Sequence, residues 1–131
     1  MVEVLVKAPE VIFAEAKKAA QVAYEAEKSK LRAMVVESSD GQRWYCAGGP
    51  CGFAWVLIRP ARGKFVSWLK SQKLGGSAYG GGYDLWSHYC VDESRDAEFG
   101  QSMQLKEAAC RAFAEVLRSY GLDAYAQSRM D

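Results

Sequence analysis

Residues 52–58 read GFAWVLI, an unbroken apolar run that decides the fold predicted for this chain. The run follows a Gly-Gly-Pro break at 48–50 and ends before Pro60. A strand that is apolar on both faces belongs in the middle of a sheet with cover on each side. The sequence therefore predicts a central strand at 52–58, and the other elements are expected to surround it.

Two longer helices are predicted to pack on this sheet. Residues 10–33 follow Pro9, which suits the first turn of a helix, and carry a mostly alanine stripe at helical spacing. Residues 103–120 follow Ser102, a good N-cap, and carry a continuous apolar stripe that ends before Gly121. The alanine stripe predicts a first helix that packs closely and buries little surface.

The remaining elements are short. Residues 34–38 and 42–46 flank Asp40-Gly41, the strongest hairpin signal in the chain. Residues 62–73 are predicted as a basic helix. Five glycines in eight residues predict a mobile loop at 75–82. Further strands are predicted at 2–6, 83–89 and 122–130.

Taken together, these patterns predict a single α+β domain over residues 1–131. Its sheet is expected to be mostly antiparallel, with four to five strands packed by two longer helices and one short basic helix. A length of 131 residues and an apolar half are typical of one globular domain.

The composition also limits the location and the class of the protein. The start of the chain has no basic region followed by an apolar run, so no signal peptide is predicted. No apolar stretch approaches the roughly 18 residues of a membrane span. The four cysteines are therefore expected to be reduced, in a cytoplasm.

Charge is segregated along the chain. Residues 41–83 hold six basic side chains and no acid, together with eight aromatic residues. Residues 84–101 hold five acids against Arg95 alone. Segregation of this kind bears on partners more than on fold. It predicts a partner-binding surface made by the basic helix and the glycine-rich loop: Arg62, Lys64, Lys70, Lys73, Tyr79 and Tyr83. The acidic segment 92–98 is an alternative contact, as a mimic of nucleic acid.

Direct binding of nucleic acid is a second interpretation of the same region. Basic side chains neutralise phosphates, and exposed aromatic rings stack on unpaired bases. Because Phe53, Trp55, Phe65 and Trp68 fit core positions, this interpretation leaves few rings for stacking.

Catalytic and metal sites are weaker alternatives. Cys46, Cys51, His88 and Cys90 make four soft ligands of the kind that zinc prefers, although their spacings are unusual for a zinc site. On a strand at 83–89, Asp84 and His88 share a face, as a general base and its orienting acid would. Buried cysteines and an ordinary strand histidine explain the same residues. No cofactor is predicted, because the glycine-rich stretch lacks the Gly-Lys-Ser/Thr of a phosphate loop.

Several segments resemble small proteins of tailed phages and prophages that carry no assigned activity. They are CGFAWV at 51–56, the QS, KEA, AFAEVLR and AYA motifs between 101 and 126, and the ending SRMD. The resemblance implies an accessory protein that acts in the bacterial cytoplasm on a host protein or nucleoprotein complex, without catalysis. Self-association is a further expectation, because so many aromatic side chains exceed what one small core holds.

Overall fold

The computed structural model describes residues 7–37, 52–92 and 102–130, with side chains described up to residue 30 in the first range. In these ranges the elements follow one another as α1 (Pro9–Glu37), β1 (Gly52–Arg59), α2 (Lys64–Ser71), β2 (Gly76–Ser77), β3 (Tyr83–Trp86), α3 (Ser87–Cys90), α4 (Met103–Ser119) and β4 (Asp123–Met130). No helix in the described part of the chain is both long enough and apolar enough to cross a membrane.

β1 lies inside a four-stranded sheet with the order β2-β3-β1-β4. It pairs antiparallel with β3 on one side and with β4 on the other, where the register runs from Gly52 opposite Met130 to Arg59 opposite Asp123. β2 pairs antiparallel with β3. The predicted α+β fold with an antiparallel sheet and a central strand at 52–58 is confirmed.

The helices stack on one face of the sheet. α4 packs on β1 and β4, and α1 packs on α4. Residues four apart on α1, namely Ile12, Ala16, Ala20 and Tyr24, are buried in this contact. Small alanine side chains let the two helix axes approach closely, so the close packing expected of the first helix is confirmed. α4 begins at Ser102, whose hydroxyl accepts a hydrogen bond from the Leu105 N–H at 3.3 Å, as expected of an N-cap.

The other face of the sheet corrects one prediction. Along β1 the side chains alternate between full burial at Ala54, Val56 and Ile58 and partial exposure at the positions between them. The apolar run predicted that both faces of this strand are covered. Only the face that packs against the helices is fully buried.

Two predicted strands are also wrong in part. α1 continues to Glu37, so residues 34–37 are helical where the first strand of the hairpin was predicted. The rest of that hairpin and the strand predicted at 2–6 lie outside the described residues. β3 ends at Trp86, and residues 87–90 form α3 instead of extending the strand. A helical turn buries both Ser87 and Cys90, which are three residues apart, and the Val91 N–H closes it on the Ser87 carbonyl oxygen at 3.0 Å.

Candidate functional site

The glycine-rich segment 75–82 is a short hairpin, where the sequence predicted a mobile loop. Gly76 and Ser77 form β2 and pair with Asp84 and Tyr83. The turn is closed by the Ala78 N–H, which donates to the Gly82 carbonyl oxygen at 2.9 Å, and the Gly81 N–H donates back to Ala78 at 3.2 Å. Tyr79 stands at the tip with its side chain fully exposed. The hairpin therefore presents one aromatic ring to solvent.

Gly82 allows this hairpin to lie against the end of β1. Its φ of +95° belongs to the region that favours glycine. A methyl group at this position would lie 2.9 Å from Leu57 Cδ1 and 3.0 Å from the Ile58 carbonyl oxygen. Only glycine combines this backbone conformation with such a close approach.

Tyr83 differs from its predicted role as an exposed contact. Its side chain is 4% exposed, and its hydroxyl donates to the Leu74 carbonyl oxygen at 2.5 Å. Burial raises the pKa of the phenol, since the charged form is disfavoured away from water. Tyr83 thus contributes to the surface indirectly, because it holds the hairpin against the segment that follows α2.

α2 carries the basic residues on its exposed side. Phe65, Val66 and Leu69 are buried beneath it, while Lys64 and Lys70 point outward. The Lys70 ammonium donates to the Ala61 carbonyl oxygen at 3.0 Å and lies 5.8 Å from the centre of the Tyr83 ring. Arg62 precedes α2 and Lys73 follows it, and both are exposed. The predicted basic helix is confirmed over Lys64–Ser71, and of the six predicted contact residues all but Tyr83 are exposed.

A cleft of about 800 Å³ opens between the end of β1, the start of α2, the hairpin and the turn before β4. We call it the basic cleft. Arg59 and Arg62 line it, and Asp123 is its one acidic lining residue. The first turn of α2 opens there without a side-chain cap at Gly63. Backbone N–H groups at a helix start attract negative charge, so the basic cleft suits a carboxylate or a phosphate.

Some parts of the basic cleft were missed in the sequence. Arg59 was counted only among the basic residues of 41–83, and Asp123 only as part of the strand predicted at 122–130. The signal that links them is the pairing of the two strands, since Arg59 lies opposite Asp123 in the register. Sequence spacing alone does not contain that pairing.

A second cleft of about 400 Å³ lies at the opposite end of β1. It is lined by Phe53, Trp86 and His88 and by two cations that share the Phe53 ring. The Lys106 ammonium lies 5.5 Å and the Arg129 guanidinium 5.6 Å from the centre of that ring. Lys106 is only 5% exposed and donates to the Gly52 carbonyl oxygen at 3.0 Å. This contact satisfies a backbone oxygen at the end of the strand.

The shared strand face predicted for Asp84 and His88 is wrong. Asp84 lies on β3, whereas His88 is on α3 and packs against the Tyr89 ring with centres 4.1 Å apart. Because the strand ends at Trp86, the alternation that placed the two residues on one face does not extend to His88. Burial raises the pKa of the Asp84 carboxyl group, whose Oδ1 has no hydrogen-bond partner among the described residues.

The residues of the possible zinc site are only partly described. Cys46 and Cys51 lie outside the described residues. The Cys90 thiol is buried and donates to the Leu85 carbonyl oxygen at 3.9 Å. Among the described residues, no group of three or more His, Cys, Asp or Glu side chains is arranged to hold a metal ion.

Comparisons with known proteins add no family. No protein-family model matches the chain, and searches of curated proteins and of solved structures find no significant match. The function is therefore argued from the surface itself.

Proposed function

We propose that this protein is a non-enzymatic binding protein of the phage and prophage type that its sequence resembles, acting in the cytoplasm of a bacterial host. Its partner is a host protein or nucleoprotein complex with an acidic surface. The contact residues are the exposed members of the predicted set: Arg62, which lines the basic cleft, and Lys64, Lys70, Lys73 and Tyr79. The observation that carries the proposal is the hairpin, which exposes Tyr79 at its tip and whose residues 80–82 line the basic cleft together with Arg59 and Arg62.

The chemistry of this surface favours recognition over catalysis. Tyrosine and arginine are the residues that most often dominate protein interfaces, since each combines a large contact area with a polar group. Complementary charge speeds the encounter with an acidic partner. The acidic segment 92–98, an alternative contact, lies almost entirely outside the described residues.

A capture experiment tests the proposal. The tagged protein is incubated with bacterial lysate and compared with an Arg62→Glu/Lys73→Glu variant. A matched control, Lys17→Glu/Lys18→Glu, changes the net charge equally at exposed positions of α1. We expect a partner that the wild type and the control retain and that the Arg62/Lys73 variant loses by about tenfold or more, since two favourable charges become unfavourable.

Equal retention of that partner by all three proteins would remove the basic cleft from the proposal. Lys70 is left unchanged in this design because its ammonium holds the Ala61 carbonyl oxygen, so its replacement would alter the local fold as well as the charge.

Direct binding of nucleic acid is the second candidate, and the basic cleft supports it through its affinity for phosphate. The aromatic residues support it less. Tyr83 is buried, and the Trp68 ring packs on Phe13 with centres 5.3 Å apart, which leaves Tyr79 for stacking in this part of the described surface.

A fluorescence titration with labelled single-stranded and duplex DNA and RNA, at two salt concentrations, tests this second candidate. Phosphate contacts predict binding that weakens steeply with salt. Absence of binding at low salt would exclude nucleic acid as the direct partner and leave the protein partner as the proposal.

A further inference from the structure

The outer edge of β4 offers a further surface, which adjoins the basic cleft at Asp123. β4 pairs with β1 along all eight residues, and no strand in the described ranges pairs with its other side. Tyr125 is 55% and Met130 65% exposed. An edge of this length with exposed apolar side chains is a template for pairing with another strand.

The backbone groups on this edge can be assigned. Alternate residues of a strand direct their N–H and C=O groups to opposite sides. The Arg129 carbonyl oxygen faces β1, since a methyl group on Gly52 would lie 2.5 Å from it. Odd-numbered residues of β4 therefore bond to β1, and even-numbered residues point outward. The Arg118 guanidinium reaches the Ala124 carbonyl oxygen at 2.7 Å from α4 and lies 4.8 Å from the centre of the Tyr125 ring, which agrees with this assignment. A carbonyl oxygen accepts two hydrogen bonds, so the Ala124 oxygen can still pair with a second strand.

We propose that β4 pairs antiparallel with β4 of a second copy of this chain, about a two-fold axis at Ala126. This register joins the two sheets into one continuous sheet. Residues that pair across the axis then have their side chains on the same face of the joined sheet. The pairs across the axis are Ala126 with itself, Gln127 with Tyr125, Ser128 with Ala124, Arg129 with Asp123 and Met130 with Leu122.

The charges in this register are self-complementary. Asp123 and Arg129 are both exposed and lie on the same face of β4. The two-fold axis sets each of them opposite its counter-charge in the second copy, so that two ion pairs form. Directly opposed opposite charges stabilise an antiparallel pair, and like charges there destabilise it.

α4 adds a second row of charge above this edge. The Ser128 hydroxyl donates to the Glu107 carboxylate at 2.5 Å, and Arg118 reaches Ala124, so this side of α4 follows β4. The residues along it alternate in sign: Glu107, Arg111, Glu115 and Arg118. The same two-fold axis sets Glu107 beside the partner's Arg118 and Arg111 beside the partner's Glu115. An isologous interface requires this kind of self-complementarity.

Sedimentation equilibrium over a wide concentration range tests the proposal. We expect the wild type to dimerise, and the single variants Asp123→Arg and Arg129→Asp to dimerise about tenfold more weakly or not at all, since each converts two attractive pairs into two repulsive ones. An equimolar mixture of the two single variants restores both ion pairs and is expected to form the heterodimer. The double variant Asp123→Arg/Arg129→Asp is expected to recover the homodimer.

Ala126→Pro tests the backbone contact independently of charge. The Ala126 N–H points outward, so proline removes a bond across the dimer and none to β1. We expect a folded monomer, with circular dichroism and thermal unfolding as the checks on folding. Gln127→Pro is the contrasting variant, because it removes an N–H that bonds to β1 and is expected to destabilise the fold itself.

Two results would overturn the proposal. One is a wild type that stays monomeric at every concentration, which would show that β4 does not pair with a second copy. The other is a dimer that survives Ala126→Pro and both single charge variants, which would place the contact elsewhere.

Discussion

The two faces of β1 use apolar side chains in opposite ways. Toward the helices, Ala54, Val56 and Ile58 are fully buried beneath α4. Toward the other face, Phe53, Trp55 and Leu57 are larger on average but only partly buried. There the Trp55 ring lies against Trp86 from β3, with centres 5.0 Å apart, and two cations lie over Phe53.

The difference shows how a strand can be apolar on both faces although helices cover only one face of the sheet. Helices need close contact with the sheet, which small and branched side chains provide. On the second face the side chains cover one another, because aromatic rings in neighbouring strands and the stems of lysine and arginine shield apolar surface from water. Burial on this face is therefore partial, and each residue there is expected to contribute less to stability.

The largest expected difference is between two adjacent residues of similar size. Ile58→Ala leaves a cavity in the fully buried face and is expected to cost about 2–5 kcal/mol of unfolding free energy. Leu57→Ala on the second face is expected to cost less, about 1–2 kcal/mol, because part of its surface is already in contact with water. Urea denaturation of both variants measures the gap. Equal losses would mean that the two faces are equally buried in solution.

A pair of glycines sharpens the comparison at the point where the hairpin meets the second face. Gly82→Ala introduces a methyl group close to Leu57 and Ile58 at a positive φ, and is expected to cost about 2–4 kcal/mol. Gly80→Ala has a positive φ of +87° but open space around the new methyl group, and is expected to cost about 1–2 kcal/mol. Thermal unfolding of the two variants isolates the steric contribution. No difference between them would place the hairpin away from β1.

The smallest effect is expected at Asp84, which lies opposite Leu57 on β3. Burial raises the pKa of its carboxyl group, so the folded state favours the protonated form. The stabilisation from protonation is complete below the unfolded pKa of about 3.9 and is lost as the pH rises through the folded pKa. Asp84→Asn is expected to stabilise the protein at pH 7 by less than about 1 kcal/mol, since the group is partly exposed.

Unfolding measured from pH 3 to pH 7 tests this prediction. The advantage of the Asn variant should shrink toward zero at the acidic end. An advantage that does not change with pH would show that ionisation of Asp84 has no part in it.

Much of the fold could be predicted from local patterns. The central position of residues 52–58 follows from the apolar run and from Pro60 after it. α4 follows from its stripe and its cap at Ser102. These predictions succeed because periodicity and capping depend on residues close together in the chain.

Other elements depend on contacts that local patterns do not contain. Val35 and Val36 favour a strand, yet the β-branched preference amounts to only tenths of a kcal/mol per residue and does not end an established helix. α3 interrupts the predicted strand at residue 87, where burial changes from a period of two to a spacing of three. Which face of the sheet the helices cover is decided by packing between distant segments.

The candidate site also has features that local patterns predict and features that depend on distant contacts. The exposed cations around α2 could be predicted from charge segregation. The burial of Tyr83 could also have been predicted from the sequence. Tyr83 and Leu85 are two residues apart on the same strand, so both side chains lie on its buried face. The basic cleft itself depends on the pairing of β1 with β4, and so it could not be predicted from one segment.

The anchored Tyr83 side chain has a consequence for the kinetics of recognition. Its hydroxyl on Leu74 and the Lys70 ammonium over its ring join the hairpin to α2 before any partner arrives. In the binding that we propose, the backbones of the hairpin and of α2 would already be joined, and little chain entropy would be lost on binding. Variants of Tyr79 should then change the lifetime of the complex far more than its rate of formation.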